Sequence, residues 1–176
     1  MGNVCKLLHL RAWRLRQSRL PVLAFGASVA PRIGLRAHYA SGDDNLKNHP
    51  FHNFTGAYPV ASVISEMSLL SVSNVTNLRP YVQLFTRRGV VLDANWNFVR
   101  KVAVADSVCG PIGMLFTAKD STSLDVARIG QLEFTGDINH FVQLHALYAH
   151  IFAGQYTRDA GGRDFDYYRL QIMLRW

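Results

Sequence analysis

Residues 164–176, DFDYYRLQIMLRW, decide how this chain is read. Tyr168, Leu170, Ile172, Leu174 and Trp176 take every second position and are all apolar or aromatic. Arg169, Gln171 and Arg175 fall between them, with Tyr167 and Met173 as the exceptions. Successive side chains of a strand point to opposite faces, so a period of two predicts a β-strand with one greasy face and one face bearing guanidinium groups. A soluble sandwich can end in such a strand, and alternation in one strand alone does not separate that fold from a membrane barrel.

The same period recurs upstream. In PRIGLRAHYASGDD, which begins at Pro31, Ile33, Leu35, Ala37 and Tyr39 alternate with Arg32, Gly34, Arg36 and His38. A second strand is expected from Leu78 to about Thr86, with Leu78, Val82 and Leu84 opposite Arg79, Tyr81, Gln83 and Arg87. Arg87-Arg88-Gly89 turns it into a third, Val91 to Arg100, where Leu92, Ala94, Trp96 and Phe98 oppose Asp93, Asn95 and Asn97. Two alternating runs joined by a short glycine-containing turn predict a β-hairpin. A fourth strand is read at Ala127 to Thr135, turned by Gly136-Asp137-Ile138-Asn139 into a fifth, His140 to Ala153, whose alternation Phe141, Leu147 and Ile151 break. The stretches 41–75, 101–125 and 154–163 are expected as loops, the first with a short helix at Val60 to Leu70.

The chain has 176 residues, enough for one domain with a sizeable core, and no apolar run near the roughly 18 residues of a membrane helix. Its 19 Lys and Arg against 12 Asp and Glu give a net charge of +7, which favours anionic partners such as nucleic acid, lipid headgroups or an acidic polymer. Lys6, Arg11, Arg14, Arg16, Arg19, Arg32 and Arg36 all precede Asp43, the first acidic residue, so much of the excess is N-terminal. Residues 1–30 are set apart as a non-barrel segment: Arg-rich and acid-free like a transit peptide, similar to a poor secretory signal, or a start assigned inside a longer gene. Cys5 and Cys109 make no metal spacing and are assigned neither a disulfide nor a site.

Laid in order, the reading is all-β: an antiparallel meander of about six long strands over residues 31–176, with long and short connections alternating. That alternation is what transmembrane barrels show, with short periplasmic turns and longer extracellular loops. With Trp176 at the periplasmic end, every long loop falls outside and every short turn inside. Tyr168, Leu170, Ile172, Leu174 and Trp176 then look like the terminal strand by which outer-membrane barrels are recognised for assembly. Tyr39, Trp96, Phe98, Tyr148 and Phe152, several of them near strand ends, suit interfacial aromatic girdles, although any β protein packs aromatics.

PRIGLRAHYASGDD, SNVTNLRP followed by VVLDANWNFVRK, and INHFVQLHALYAHIFAGQYTRDAGG before the terminal strand resemble, in that order, the C-terminal part of the alginate-export family of outer-membrane proteins. The most specific pieces are Tyr39-Ala40-Ser41-Gly42-Asp43 and the cluster Tyr148, His150, Phe152, Ala153 and Gly154. The resemblance implies a partial transmembrane β-barrel, about the last third of a barrel of roughly 18 strands, whose basic lumen passes an anionic polysaccharide such as alginate. It implies a bacterial outer-membrane location, with outer-membrane lipid, small anions or polysaccharide, and the barrel-assembly machinery as partners, and gives no role to nucleic acid.

By parity the pore-lining candidates are Arg32, Arg36, Arg79, Arg87, Asp93, Glu133, Arg169 and Arg175, a set that would concentrate anions as rings of arginine do in anion-selective channels. The bland alternative is that these arginines only solvate a lumen or pair with its carboxylates. A general porin, or a non-transporting β module binding an acidic ligand, are the competing functions. His140, His145 and His150 do not make a metal site: at roughly 3.3 Å per residue the outer two are about 33 Å apart along a strand, and His145 faces the other way. Asp43 and Asp44 are better read as a solvated turn than as a calcium loop. No catalytic constellation is visible, and neither an enzyme activity nor a cofactor is expected.

Overall fold

The computed structural model describes residues 29–42, 73–86, 89–110, 113–116, 118 and 121–176. Arg87, Asp43, Asp44, the helix expected at Val60 to Leu70 and residues 1–28 lie outside the described residues. Six strands form one sheet in which each pairs antiparallel with the next: β1 (Val29–Ala40), β2 (Val75–Thr86), β3 (Val91–Lys101), β6 (Asp125–Asp137), β7 (Val142–Ala153) and β8 (Phe165–Leu174). A small separate hairpin, β4 (Val108–Gly110) and β5 (Gly113–Phe116), interrupts the stretch 101–125 that the sequence suggests is all loop. A one-turn helix, α1 (Gln155–Asp159), opens the connection after β7. The sheet is open: among the described residues β1 and β8 do not pair with each other.

Turn chemistry sets the register. Between β2 and β3 the Thr86 N–H donates to the Val90 carbonyl at 2.9 Å, and Gly89 sits at φ 75°, a left-handed conformation that costs glycine nothing. Between β6 and β7 the Asn139 side-chain oxygen accepts from the Phe141 and Val142 N–H groups, both at 2.9 Å. Proline has no N–H to give a ladder, and the β2–β3 pairing runs unbroken except at Arg79 and Pro80.

Register also fixes which residues share a face, because directly paired residues point the same way. One face carries Ile33 and Leu35 of β1, Leu78 and Val82 of β2, Leu92, Trp96 and Phe98 of β3, Leu132 of β6, Tyr148 and Phe152 of β7, and Tyr168, Leu170, Ile172 and Leu174 of β8. All are exposed, Leu132 at 57% and Leu170 at 70%. On this face Trp96 and Phe152 lie 5.6 Å apart, and Tyr148 and Tyr168, level with Leu132, lie 5.1 Å apart. Trp96 reaches across β6 because Gly130 is its partner: a Cβ there would come within 2.8 Å of the indole.

The opposite face is buried or half-buried on β2, β3, β6 and β7, exposed at Arg32 and Arg36 of β1 and at Gln171 and Met173 of β8, and divides along the strand axis. At the long-connection end it is apolar: Val75, Val99, Ala127, Ile129, Ala149 and Ile151 form a core closed by Val108 and by Tyr156 of α1. This explains the broken alternation of β7. Leu147 and Ile151 are apolar because loop residues pack over them, and Tyr167 of β8 packs against the same cluster. Lys101 closes the rim, its ammonium 4.0 Å from the centre of the Tyr156 ring and 3.0 Å from the Val104 carbonyl. Asn74, at φ 52°, accepts from the Ala103 N–H at 2.7 Å and donates to the Ala103 carbonyl at 3.1 Å, tying the 102–107 segment to the start of β2.

Candidate functional site

Below that apolar cap the buried face turns polar. Asn77 donates to the Asn97 side-chain oxygen at 2.9 Å, and the Asn97 amide donates to Asn95 and Gln131, both at 3.0 Å. Asn95 and Gln83 in turn donate to the two oxygens of Asp93, each at 2.6 Å. This amide ladder runs across β2, β3 and β6, and Asn97 is 0% exposed. Amides at alternate positions of adjacent strands can do this because each supplies both a donor and an acceptor.

The ladder ends in charge. Arg79 Nη2 lies 3.8 Å from Asp93 and 3.5 Å from Glu133. His145 Nε2 is 4.0 Å from Glu133, and its Nδ1 is 3.4 Å from the Arg169 guanidinium. One chain of contacts therefore crosses from β2 to β8. Arg79 is only 5% exposed, so its charge is spent on two carboxylates inside the wall.

The other candidates differ. Arg32 and Arg36 are exposed on β1, their guanidinium carbons 4.9 Å from the centre of the Phe85 ring and 4.8 Å from that of Tyr81. Stacking on a ring holds a cation in place without neutralising it. Arg175 is exposed just beyond β8 and pairs with Asp137 at 3.4 Å. Arg87 lies outside the described residues. The structure thus brings Arg79, Asp93, Glu133 and Arg169 together, keeps Arg32 and Arg36 along the β1 edge, and sets Arg175 at the short-turn end. Asn77 is a ladder member that the sequence reading passes over, although it shares parity with Arg79.

Tyr168, Leu170, Ile172 and Leu174 line the exposed face of β8, and Trp176 follows, exposed as well. The three histidines do not meet: His140 stacks on Phe141 in the turn, His145 sits by Glu133, and His150 on the opposite face lies 2.8 Å from Asp166. Among the described residues no group of three or more potential metal ligands is present. No helix there is long and apolar enough to cross a membrane, a fact silent about crossing by strands.

Comparison with known proteins adds one positive finding. A family model described as alginate export matches residues 21–171. None of the curated proteins and none of the solved structures gives a significant match. The family is one of outer-membrane, transport-type proteins, and both the all-β meander and an apolar sheet face backed by a polar one suit it. With the match spanning all but the ends of the sequence, the chain belongs to the alginate-export family.

Proposed function

We propose that this sheet is part of the wall of an outer-membrane channel that passes anionic polysaccharide such as alginate, or other anionic solutes. The observation that supports this most is the division of the sheet: an uncovered apolar face across all six strands, backed by a face of amides and guanidinium groups. Water tolerates so wide an apolar surface poorly, whereas hydrocarbon accepts it. The polar face then borders the lumen. Arg32, Arg36, Arg169 and Arg175 supply its positive field, while Arg79, Asp93 and Glu133 brace the wall. Lumen charges act on a permeating species within about a Debye length, roughly 8 Å at physiological salt, a distance that a threading polymer satisfies.

An open sheet leaves unpaired edges, and each unsatisfied backbone group in hydrocarbon costs several kcal/mol, so conduction requires further strands to close the barrel. The test is therefore a closed barrel in which residues 29–176 replace the corresponding strands of a family member. Planar-bilayer recordings of it should show anion preference, lowered when Arg32, Arg36 and Arg169 are changed together to glutamine. Unchanged ion selectivity in that triple variant leaves the general porin reading. We assign Tyr168, Leu170, Ile172, Leu174 and Trp176 to recognition by the barrel-assembly machinery, on the alternation of exposed apolar and aromatic side chains along one face of β8 and just beyond it.

A further inference from the structure

A cleft of about 360 Å³ opens at the long-connection end of the apolar face, lined by Trp96, Phe152, Arg128, Arg158, Gln155 and Asp125. Its floor is the Trp96–Phe152 ring pair, continuous with the exposed apolar band. Its rim is basic. Arg128 stands opposite Phe152 in the β6–β7 register, and Arg158 descends from α1, their side chains 59% and 57% exposed. Each arginine meets one carboxylate: Arg128 lies 3.6 Å from Asp125, and Arg158 lies 3.5 Å from Asp164. Exposed bridges of that length contribute little and are readily exchanged for a better anion. Asp164 is also engaged by the Ala153 N–H at 2.8 Å, which leaves less of it for Arg158.

We infer that this cleft seats the phosphorylated sugar headgroup of an outer-leaflet glycolipid, with its acyl chains lying on Trp96 and Phe152. The inference rests on the reading of the apolar face as lipid-facing and adds a specific occupant. Guanidinium groups bind phosphate in a planar, two-pronged geometry that a carboxylate at 3.5 Å does not satisfy. The aromatic floor selects a lipid over a free anion, because a free phosphate gains nothing from two rings beneath it. Along the face Arg128 lies level with Phe152 near the loop end, Trp96 one pair further in and Leu132 beyond it, so the phosphate ligands stand on the headgroup side of the Trp96 ring.

The test uses the full chain in detergent micelles and native mass spectrometry, with bisphosphorylated lipid A and lipid A stripped of both phosphates as probes. The parent chain should retain the phosphorylated lipid about tenfold better than the stripped one. Changing Arg128→Gln and Arg158→Gln together should erase that preference, while Arg128→Lys with Arg158→Lys, which keeps the charge, should preserve part of it. Equal retention of the two lipids by the parent, or an undiminished preference in the glutamine pair, overturns the cleft assignment and leaves the lipid-facing reading standing. Displacement of lipid A by millimolar inorganic phosphate would mark a free-anion site and overturn it as well. Retention of neither lipid by the folded parent would instead sink the lipid-facing reading beneath it.

Discussion

Replacing Arg79 tests whether the charge on the polar face is structural. Its guanidinium lies 3.8 Å from Asp93 and 3.5 Å from Glu133, with the residue 5% exposed. At an effective dielectric constant of about 20, each contact is an attraction of roughly 4 kcal/mol, offset by the cost of drying the three charges. Truncating one partner of such a cluster costs about 3 to 5 kcal/mol, because buried Asp93 and half-buried Glu133 lose the guanidinium that counters their charge. Arg79→Gln should therefore lower unfolding stability by that amount in urea titrations of the micelle-folded chain, followed by tryptophan fluorescence. Neutralising the whole cluster with Arg79→Met, Asp93→Asn and Glu133→Gln should recover most of the loss. An Arg79→Gln variant within about 1 kcal/mol of the parent would refute the brace and return Arg79 to the arginines proposed to supply the positive field.

Other changes probe other parts of the sheet. Ile172→Arg, on the exposed face opposite Leu144, should cost about 2 to 4 kcal/mol in a lipid-embedded sheet, and Gln171→Arg far less, measured by chemical unfolding from vesicles. Gly130→Ala puts a Cβ within 2.8 Å of Trp96 and should cost about 1 to 3 kcal/mol, with a shifted Trp96 emission as the sign of a displaced ring. Removing Trp176 should slow assembly into the outer membrane while leaving micelle-folded stability within about 0.5 kcal/mol, read by heat-modifiable mobility. Hydrogen bonds from Ser121 and then Gln155 hold the Asp159 carboxyl below its usual range. Its folded value is depressed, so the tie it makes is fully present above the unfolded value of about 3.9 and is lost as pH falls through the folded one. Protection factors for amide exchange in the 155–162 segment, corrected for the intrinsic pH dependence of exchange, should fall over that acidic window, and Asp159→Asn should remove that fall.

The terminal strand was legible because a period of two survives wherever one face meets a uniform environment, as at Leu170, Ile172 and Leu174. Where environment changes along one face, the pattern fails. Leu147, Ile151 and Tyr167 interrupt the alternation because Tyr156 and Val108 convert that end of the polar face into an apolar core, which strand periodicity cannot reveal. Parity places Arg79, Asp93 and Glu133 on one face, but it does not disclose that they neutralise one another. That depends on register across β2, β3 and β6, of which the turn at Gly89 sets only the first pairing, the second being made across the long connection 101–125. The cleft at Arg128 and Arg158 was hidden for a similar reason, since α1 brings Arg158 to a strand 30 residues earlier in the sequence.

We propose that the face bearing Leu170 and Ile172 meets lipid while the face bearing Arg169 and Gln171 does not. Single nitroxide labels at each position from 168 to 174, on a background with Cys5 and Cys109 changed to serine, read this directly in lipid bicelles. Collision with oxygen, which partitions into hydrocarbon, should peak at 168, 170, 172 and 174, and collision with a water-soluble nickel chelate should peak at 169 and 171. Flat profiles, or the two probes peaking in the opposite phase, would contradict the account.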